Sequence, residues 1–233
     1  MDLEKPVAVD VPGALHVIEI GKRAEGKLSF DVGFQIRDCP PFVELVRRIH
    51  AGALGKIAQA HPLKASATGG RLGRPDADGD AFGNYNALFH YPDGVDVTFS
   101  STQFAKGWWD VTERFFGTKG TSQSPYTGPL GIWGDESWQY AAAAKDTTSE
   151  PKAFSVTGNF SSNLELADAE KKKAFIESII SGKFHNQADK GAESALSCIM
   201  ARTAAYTGRE NTWEETLKSK EVWNPKIDLN KLS

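Results

Sequence analysis

The chain has 233 residues, 40% of them hydrophobic and 24% charged, the balance of a soluble globular protein with one large domain or one and a half ordinary ones. Its net charge of −3 offers no electrostatic case for nucleic acid or an anionic membrane, and no apolar run approaches the roughly 20 residues of a membrane helix. Two cysteines, Cys39 and Cys198, lie far apart in different kinds of segment, which suits reduced thiols in a cytoplasmic protein better than a disulfide.

The first element is a short apolar stretch in EKPVAV, read as the end of a strand. A helix then starts after Asp10, a good N-cap, with Pro12 in the first turn, where its missing N–H costs nothing. Val11, Ala14, Leu15 and Ile18 form its apolar face, and Gly26 follows its end. LSFDVGFQI alternates, so Leu28, Phe30, Val32, Phe34 and Ile36 share one face of a strand. Strand, helix and strand make a βαβ crossover and hence a parallel pair.

After Cys39, Pro40 and Pro41 the apolar residues Phe42, Leu45, Val46 and Ile49 mark an amphipathic helix, stopped near Gly52 and Gly55. From residue 57 to about 117 the period becomes two. HPLKASATGG, NYNALFHYPDG, VDVTFSSTQF and VTERFFGTKG are strand candidates, the second and third joined by a turn at Pro92, Asp93 and Gly94. Residues 121–163, rich in Gly, Pro, Ser and Thr, read as long loops with a short strand or two. Farther on, KKKAFIESIISG puts Phe175, Ile176, Ile179 and Ile180 on one side of a helix, with Lys171, Lys172 and Lys173 on a solvated face. A long helix from about Ala188 to Tyr206, with a small face of Ala188, Ala192, Ala195 and Ile199, closes at Gly208. Thr212 and Glu215 then form a capping box. The fold class is α/β: a βαβ segment, then a large open, mostly antiparallel sheet of α+β type covered by helices.

Several segments together are similar to one family. EKPVAVDVPG, VGFQIR, FVELVRRIHAGALGKI, HPLKASATGGR, ERFFGTKGTS, HNQADKGAESAL and RTAAYTGRE occur in an order that resembles the glucose–fructose oxidoreductase, inositol dehydrogenase and MocA family. The resemblance implies an N-terminal Rossmann domain for NAD or NADP and a C-terminal domain whose open sheet serves the substrate site and often an oligomer interface. It implies hydride transfer on a sugar or polyol. By the same resemblance Lys5 lies between nicotinamide and substrate and hydrogen-bonds the reacting hydroxyl, while Glu4 and Pro6 belong to the cofactor turn, with Pro6 a candidate cis proline.

Two departures follow. The glycine-rich turn that would hold the pyrophosphate belongs before Glu4, and neither Gly69-Gly70 with Gly73 nor Gly52 with Gly55 has the strand-to-helix context to replace it. The family's D-x-x-x-H segment is absent as well. Only Ala58, Gln59 and Ala60 separate Ile57 from His61, and His61 matches the residue that follows that segment. Residues 1–37 therefore read as the remnant of a dinucleotide-binding domain and residues 38–233 as the substrate and oligomerisation domain of a shortened member.

Further candidates come from placement. Gln35 and Arg37 fall at the C-terminal end of a strand, where α/β sheets present ligand groups. Trp108 and Trp109 could wall a sugar ring, and His185 could line the site beside Asn186, a plausible N-cap. His16 and His50 read as helix-surface residues and His90 as a strand residue, and no spacing of Cys, His and carboxylates gives a metal signature. Two functions compete. One is an oxidoreductase whose cofactor domain comes from a partner or an upstream polypeptide. The other is a catalytically silent sugar-binding or oligomerising module, or a truncated gene product. In either case the chain is expected to form homo-oligomers through its open sheet, with no nucleic-acid or membrane partner.

Overall fold

Asp10 caps the first helix of the fold and also ties a segment distant in sequence to it. In the computed structural model, which describes residues 1–57, 61–76, 79–103, 110–141 and 162–223, one carboxylate oxygen of Asp10 accepts from the Gly13 N–H at 2.8 Å. The other accepts from the Trp223 N–H at 3.0 Å. The helix is α1, Val11–Ala24, with Pro12 in its first turn. Replacing Asp10 with alanine removes both acceptors and should cost about 1–2 kcal/mol, read as a lower midpoint in urea unfolding. Asn at this position still caps Gly13 through its amide oxygen but turns an NH2 donor toward the Trp223 N–H, so it should recover only the capping part of that loss.

The remaining elements, in chain order, are β1 (Asp2–Leu3) ahead of α1, then β2 (Asp31–Val32), α2 (Pro40–His50), β3 (Lys64–Gly70), β4 (Asn84–His90) and β5 (Asp96–Thr102). They continue with β6 (Arg114–Phe116), β7 (Gly120–Gln123), β8 (Gly131–Gly134), β9 (Trp138–Gln139), α3 (Ala167–Ile180), α4 (Ala188–Thr207), β10 (Asn211–Thr212) and α5 (Trp213–Leu217). The chain divides into two units: Met1–Gly33, Gln59–Phe104 and Phe184–Ser233 form the first, Phe34–Ala58 and Ala105–Lys183 the second. The expected class is the observed one: a βαβ segment with parallel β1 and β2, followed by antiparallel strands under helices.

In the first unit the sheet order is β10-β3-β4-β5, all antiparallel. The α4 helix lays Met200 and Ala201 on Ala65 and Ala87 of this sheet. Its Ala192, Leu196 and Ile199 meet Val11 and Ala14 of α1. The small-residue face read from the sequence is what lets α4 sit so close, and Gly208, with φ 66°, ends it in the left-handed conformation expected of a C-terminal glycine. The opposite face of the sheet is polar apart from Leu88, which sits between Ser66 and Thr98. Ser66, Thr68, Asn86, Thr98 and Ser100 alternate with the helix-facing residues, and part of this face forms a shallow recess between Ser66, Thr68, Asn86 and Arg209.

In the second unit β6 to β9 form an antiparallel sheet. Leu130 and Ile132 of its buried face join Phe42, Leu45 and Ile49 of α2, along with Leu54, Leu164 and Ala167. Cys39 is buried in this core, donates to the Asn163 carbonyl at 3.2 Å, and burial pushes its thiol up to about 11, so it stays protonated and unreactive. Cys198 is likewise a free thiol.

Four expectations need correction. The second strand is two residues long rather than nine, because both Asp31 and Val32 are buried and the chain turns after Gly33; Leu28 is 61% exposed. The first-helix face does not include Leu15, which is exposed. Residues 121–163 were expected to hold a short strand or two, yet β7, β8 and β9 are three strands of a sheet. On α3, Lys171 is buried while Ile176, Ile179 and Ile180 face solvent, the reverse of the expected orientation.

Candidate functional site

Three extended segments lie side by side in the first unit. β1 and β2 pair through Asp2 with Asp31 and Leu3 with Val32. The Asp31 N–H donates to the Met1 carbonyl at 2.8 Å and the Gly33 N–H to the Leu3 carbonyl at 2.7 Å. On the other side of β2, Phe30 bridges in parallel to Asn186. Its N–H donates to the His185 carbonyl, and its own carbonyl accepts from the Gln187 N–H, both at 2.9 Å. The Gln187 side-chain oxygen accepts from the Val32 N–H at 3.1 Å.

The chain leaves β1 at the end of its parallel strand through Glu4, Lys5 and Pro6, all exposed, with the Lys5–Pro6 peptide bond cis. Ligand groups gather at such strand ends. The carboxylate end of the exposed Glu4 side chain lies over Gly33.

His185 lies on the outer segment, beside β2. Its Nε2 lies 3.2 Å from Oδ1 of Asp31, a side chain only 2% exposed, while the imidazole is 28% exposed. Sequence reasoning missed Asp31. Alternation through LSFDVGFQI sends it to the solvent face, and only the burial of both faces of a parallel strand reveals otherwise. Asn186 is not the N-cap of α4, a place taken by Gln187, but its side chain accepts from the Ala188 N–H at 3.1 Å. It also donates to the Gly21 carbonyl at 2.8 Å and to Glu25 at 2.7 Å, tying α4 to the end of α1.

The other candidates fall elsewhere. Gln35 and Arg37 sit in a turn of the second unit, not at a strand end; Gln35 donates to Asp168 at 3.4 Å and the Arg37 guanidinium lies 4.1 Å from the centre of the Phe34 ring. Trp108 and Trp109 lie outside the described residues. His16 and His50 are exposed on their helices, and His90 pairs with Asp96 at 2.7 Å across the β4–β5 hairpin. His61 stacks on Trp213 with ring centres 4.2 Å apart. Among the described residues there is no group of three or more His, Cys, Asp or Glu able to hold a metal ion, and no helix long and apolar enough to cross a membrane.

No protein-family model matches the chain. A 58-residue stretch is 41% identical to inositol 2-dehydrogenase 4 of Saccharopolyspora erythraea, covering 25% of this chain and 17% of that protein. Among solved structures, levoglucosan dehydrogenase superposes with a TM-score of 0.66 at 13% identity, over 91% of this chain and 73% of that one. An Agrobacterium radiobacter oxidoreductase, solved with NAD+, L-tartaric acid and magnesium, gives 0.64 at 12% identity over 91% and 72%. Aldose–aldose oxidoreductase from Caulobacter crescentus, solved with glycerol, gives 0.59 at 17% over 91% and 71%. The fold is that of the glucose–fructose oxidoreductase, inositol dehydrogenase and MocA family. The chain spans about seven tenths of these structures and matches less than a fifth of the curated inositol dehydrogenase.

The family fold raises the question of a dinucleotide, and the residues present do not fit its pyrophosphate. No two glycines of the 233 residues are separated by a single residue. The N-terminus of α1, which follows parallel β1, already carries the Asp10 carboxylate against its N–H groups, where a phosphate would be repelled.

Proposed function

We propose that these residues are the substrate-binding and assembly part of an NAD- or NADP-dependent oxidoreductase acting on a sugar or polyol, with the dinucleotide held by residues of another domain or a partner chain. The observation that carries this reading is the exposed turn of Glu4, Lys5 and Pro6 at the end of a parallel strand. An ammonium group there can donate a hydrogen bond to a substrate hydroxyl and stabilise negative charge developing on it. Glu4 and Pro6 shape the turn that presents Lys5. The inositol 2-dehydrogenase likeness supports a polyhydroxylated substrate.

The polar face of the β10-β3-β4-β5 sheet is the proposed surface for a second copy. Its rows of Ser, Thr and Asn leave hydrogen-bonding groups that a symmetric partner can satisfy. A second reading, a sugar-binding or oligomerising module without catalysis, is favoured by the lack of any D-x-x-x-H spacing and of a phosphate cradle.

Calorimetric titration of this chain with NAD, NADP and myo-inositol separates the two. The oxidoreductase part should bind inositol, and Lys5→Ala should weaken that binding about tenfold, while either nucleotide binds only when a Rossmann-domain partner is added. Inositol binding that is indifferent to Lys5, with no nucleotide bound under either condition, would leave the silent module standing.

A further inference from the structure

We infer that His90 makes the pairing of two copies through the polar sheet face depend on pH, strengthening it in acid; this rests on the reading of that face as the surface for a second copy. One row of side chains crosses all four strands of the β10-β3-β4-β5 sheet. The register sets Thr212 beside Lys64, Lys64 beside His90 and His90 beside Asp96. Alternation from Ser66, Asn86 and Thr98 puts this row on the polar face, away from α4. A second copy laid on that face meets the row where the sheet is widest.

The charges of the row do not cancel while the ring is neutral. Lys64 Nζ lies 2.9 Å from a carboxylate oxygen of Glu210, and these two opposite charges balance. His90 Nδ1 lies 2.7 Å from a carboxylate oxygen of Asp96. A carboxylate only accepts, so Nδ1 carries the hydrogen in the neutral ring and an added proton goes to Nε2. The neutral ring therefore leaves the Asp96 charge uncompensated, and the imidazolium balances it. Neighbouring charges do not reverse this. Asp93 sits in the β4–β5 turn and adds to the negative side, while Arg209, farther along the face, attracts the Glu215 carboxylate. Glu193 of α4 acts on Tyr91 from the opposite face, and β4 itself turns only Asn84, Asn86 and Leu88 to the same side as His90.

In the free chain the Asp96 side chain is 56% exposed, so water compensates its charge. A second copy removes that water and brings up another such row. An unbalanced carboxylate is costly to desolvate, and two of them repel, whereas an imidazolium hydrogen-bonded to its carboxylate enters the contact as a neutral unit. The pair of copies therefore binds more protons than the separate chains, and linkage favours the species that binds more protons as pH falls. Imidazole is the side chain whose charge changes between about pH 5 and 8, which sets the interval in which the switch acts.

The test is sedimentation of the full chain over a range of concentrations at about pH 5.5 and about pH 8. The dissociation constant of the pair should be about tenfold lower at the acid pH. His90→Gln, which keeps a donor but takes up no proton, should lose most of that difference. The remaining histidines of the 5 titrate in both proteins, so the part lost on substitution belongs to His90. Asp96→Asn removes the unbalanced charge and should tighten the pair about tenfold at the higher pH, with no acid preference left. Asn86→Arg, exposed on a central strand of the same face, should abolish association at both pH values. Association of equal strength at both pH values, or a pH dependence that survives His90→Gln, overturns the switch and leaves the sheet-face reading intact. Association that survives Asn86→Arg, or a chain that stays monomeric under every condition, overturns the sheet-face reading and the switch with it.

Discussion

Gly21→Ala is expected to destabilise the chain by about 1–2 kcal/mol, although the same change in an isolated helix stabilises it by about 1 kcal/mol. The sign is set by one contact. A β-carbon at position 21 would fall inside the van der Waals envelope of the Ala188 methyl, where α4 begins against the end of α1. Backbone must move to relieve it, because neither partner has a side chain that can rotate away. The movement has a direction. The Gly21 carbonyl accepts from Asn186, and Asn186 is bridged to Phe30 of the strand segment beside His185. Gly21→Leu should cost more, about 2–4 kcal/mol, and should raise hydrogen exchange at residues 185–187 before it does so in the β3–β4 hairpin. Equilibrium unfolding in urea measures the first effect and exchange mass spectrometry the second. A Gly21→Ala variant more stable than the parent would show that the helices separate freely here.

The parts of this fold that were legible in the sequence are those set by local chemistry. Asp10 before an apolar run, Gly208 after one, the reciprocal bonds of Thr212 and Glu215, and the alternation of β3, β4 and β5 all appear where their residues place them. What was lost depended on neighbours distant in sequence. Strands β7 and β8 are rich in Gly, Ser and Thr and so resemble loop. Their glycines are there because another backbone comes close: a β-carbon at Gly120 would meet the Trp133 carbonyl at 2.8 Å, and one at Gly131 the Gln139 α-carbon at 3.0 Å. The same blindness hid Asp31, whose burial is decided by a segment more than 150 residues away. Of the candidate site, the Lys5 turn and His185 fall in one unit, whereas Gln35 and Arg37 fall in the other because β2 ends early.

Two apolar stripes of nearly equal appearance should respond in opposite ways to truncation. In α4, Leu196 is 1% exposed and packs with Val11, Ala14, Ala192 and Ile199. Leu196→Ala removes three carbons from a site walled by two helices that are held by small residues and cannot collapse far. The loss should be about 3 kcal/mol, within the 2–5 kcal/mol range of buried leucines. In α3, Ile180 belongs to an equally regular stripe but is 79% exposed, and Ile180→Ala should fall within about 0.5 kcal/mol of the parent. Periodicity gives a helix an apolar side but not the side that the protein covers; here Lys171 and Ser178, not the isoleucines, are the residues turned inward. Paired urea melts of the two variants measure the difference. An Ile180→Ala loss comparable to that of Leu196→Ala would mean that the isoleucine stripe is covered in solution, and sedimentation at two protein concentrations would then show whether a second copy covers it.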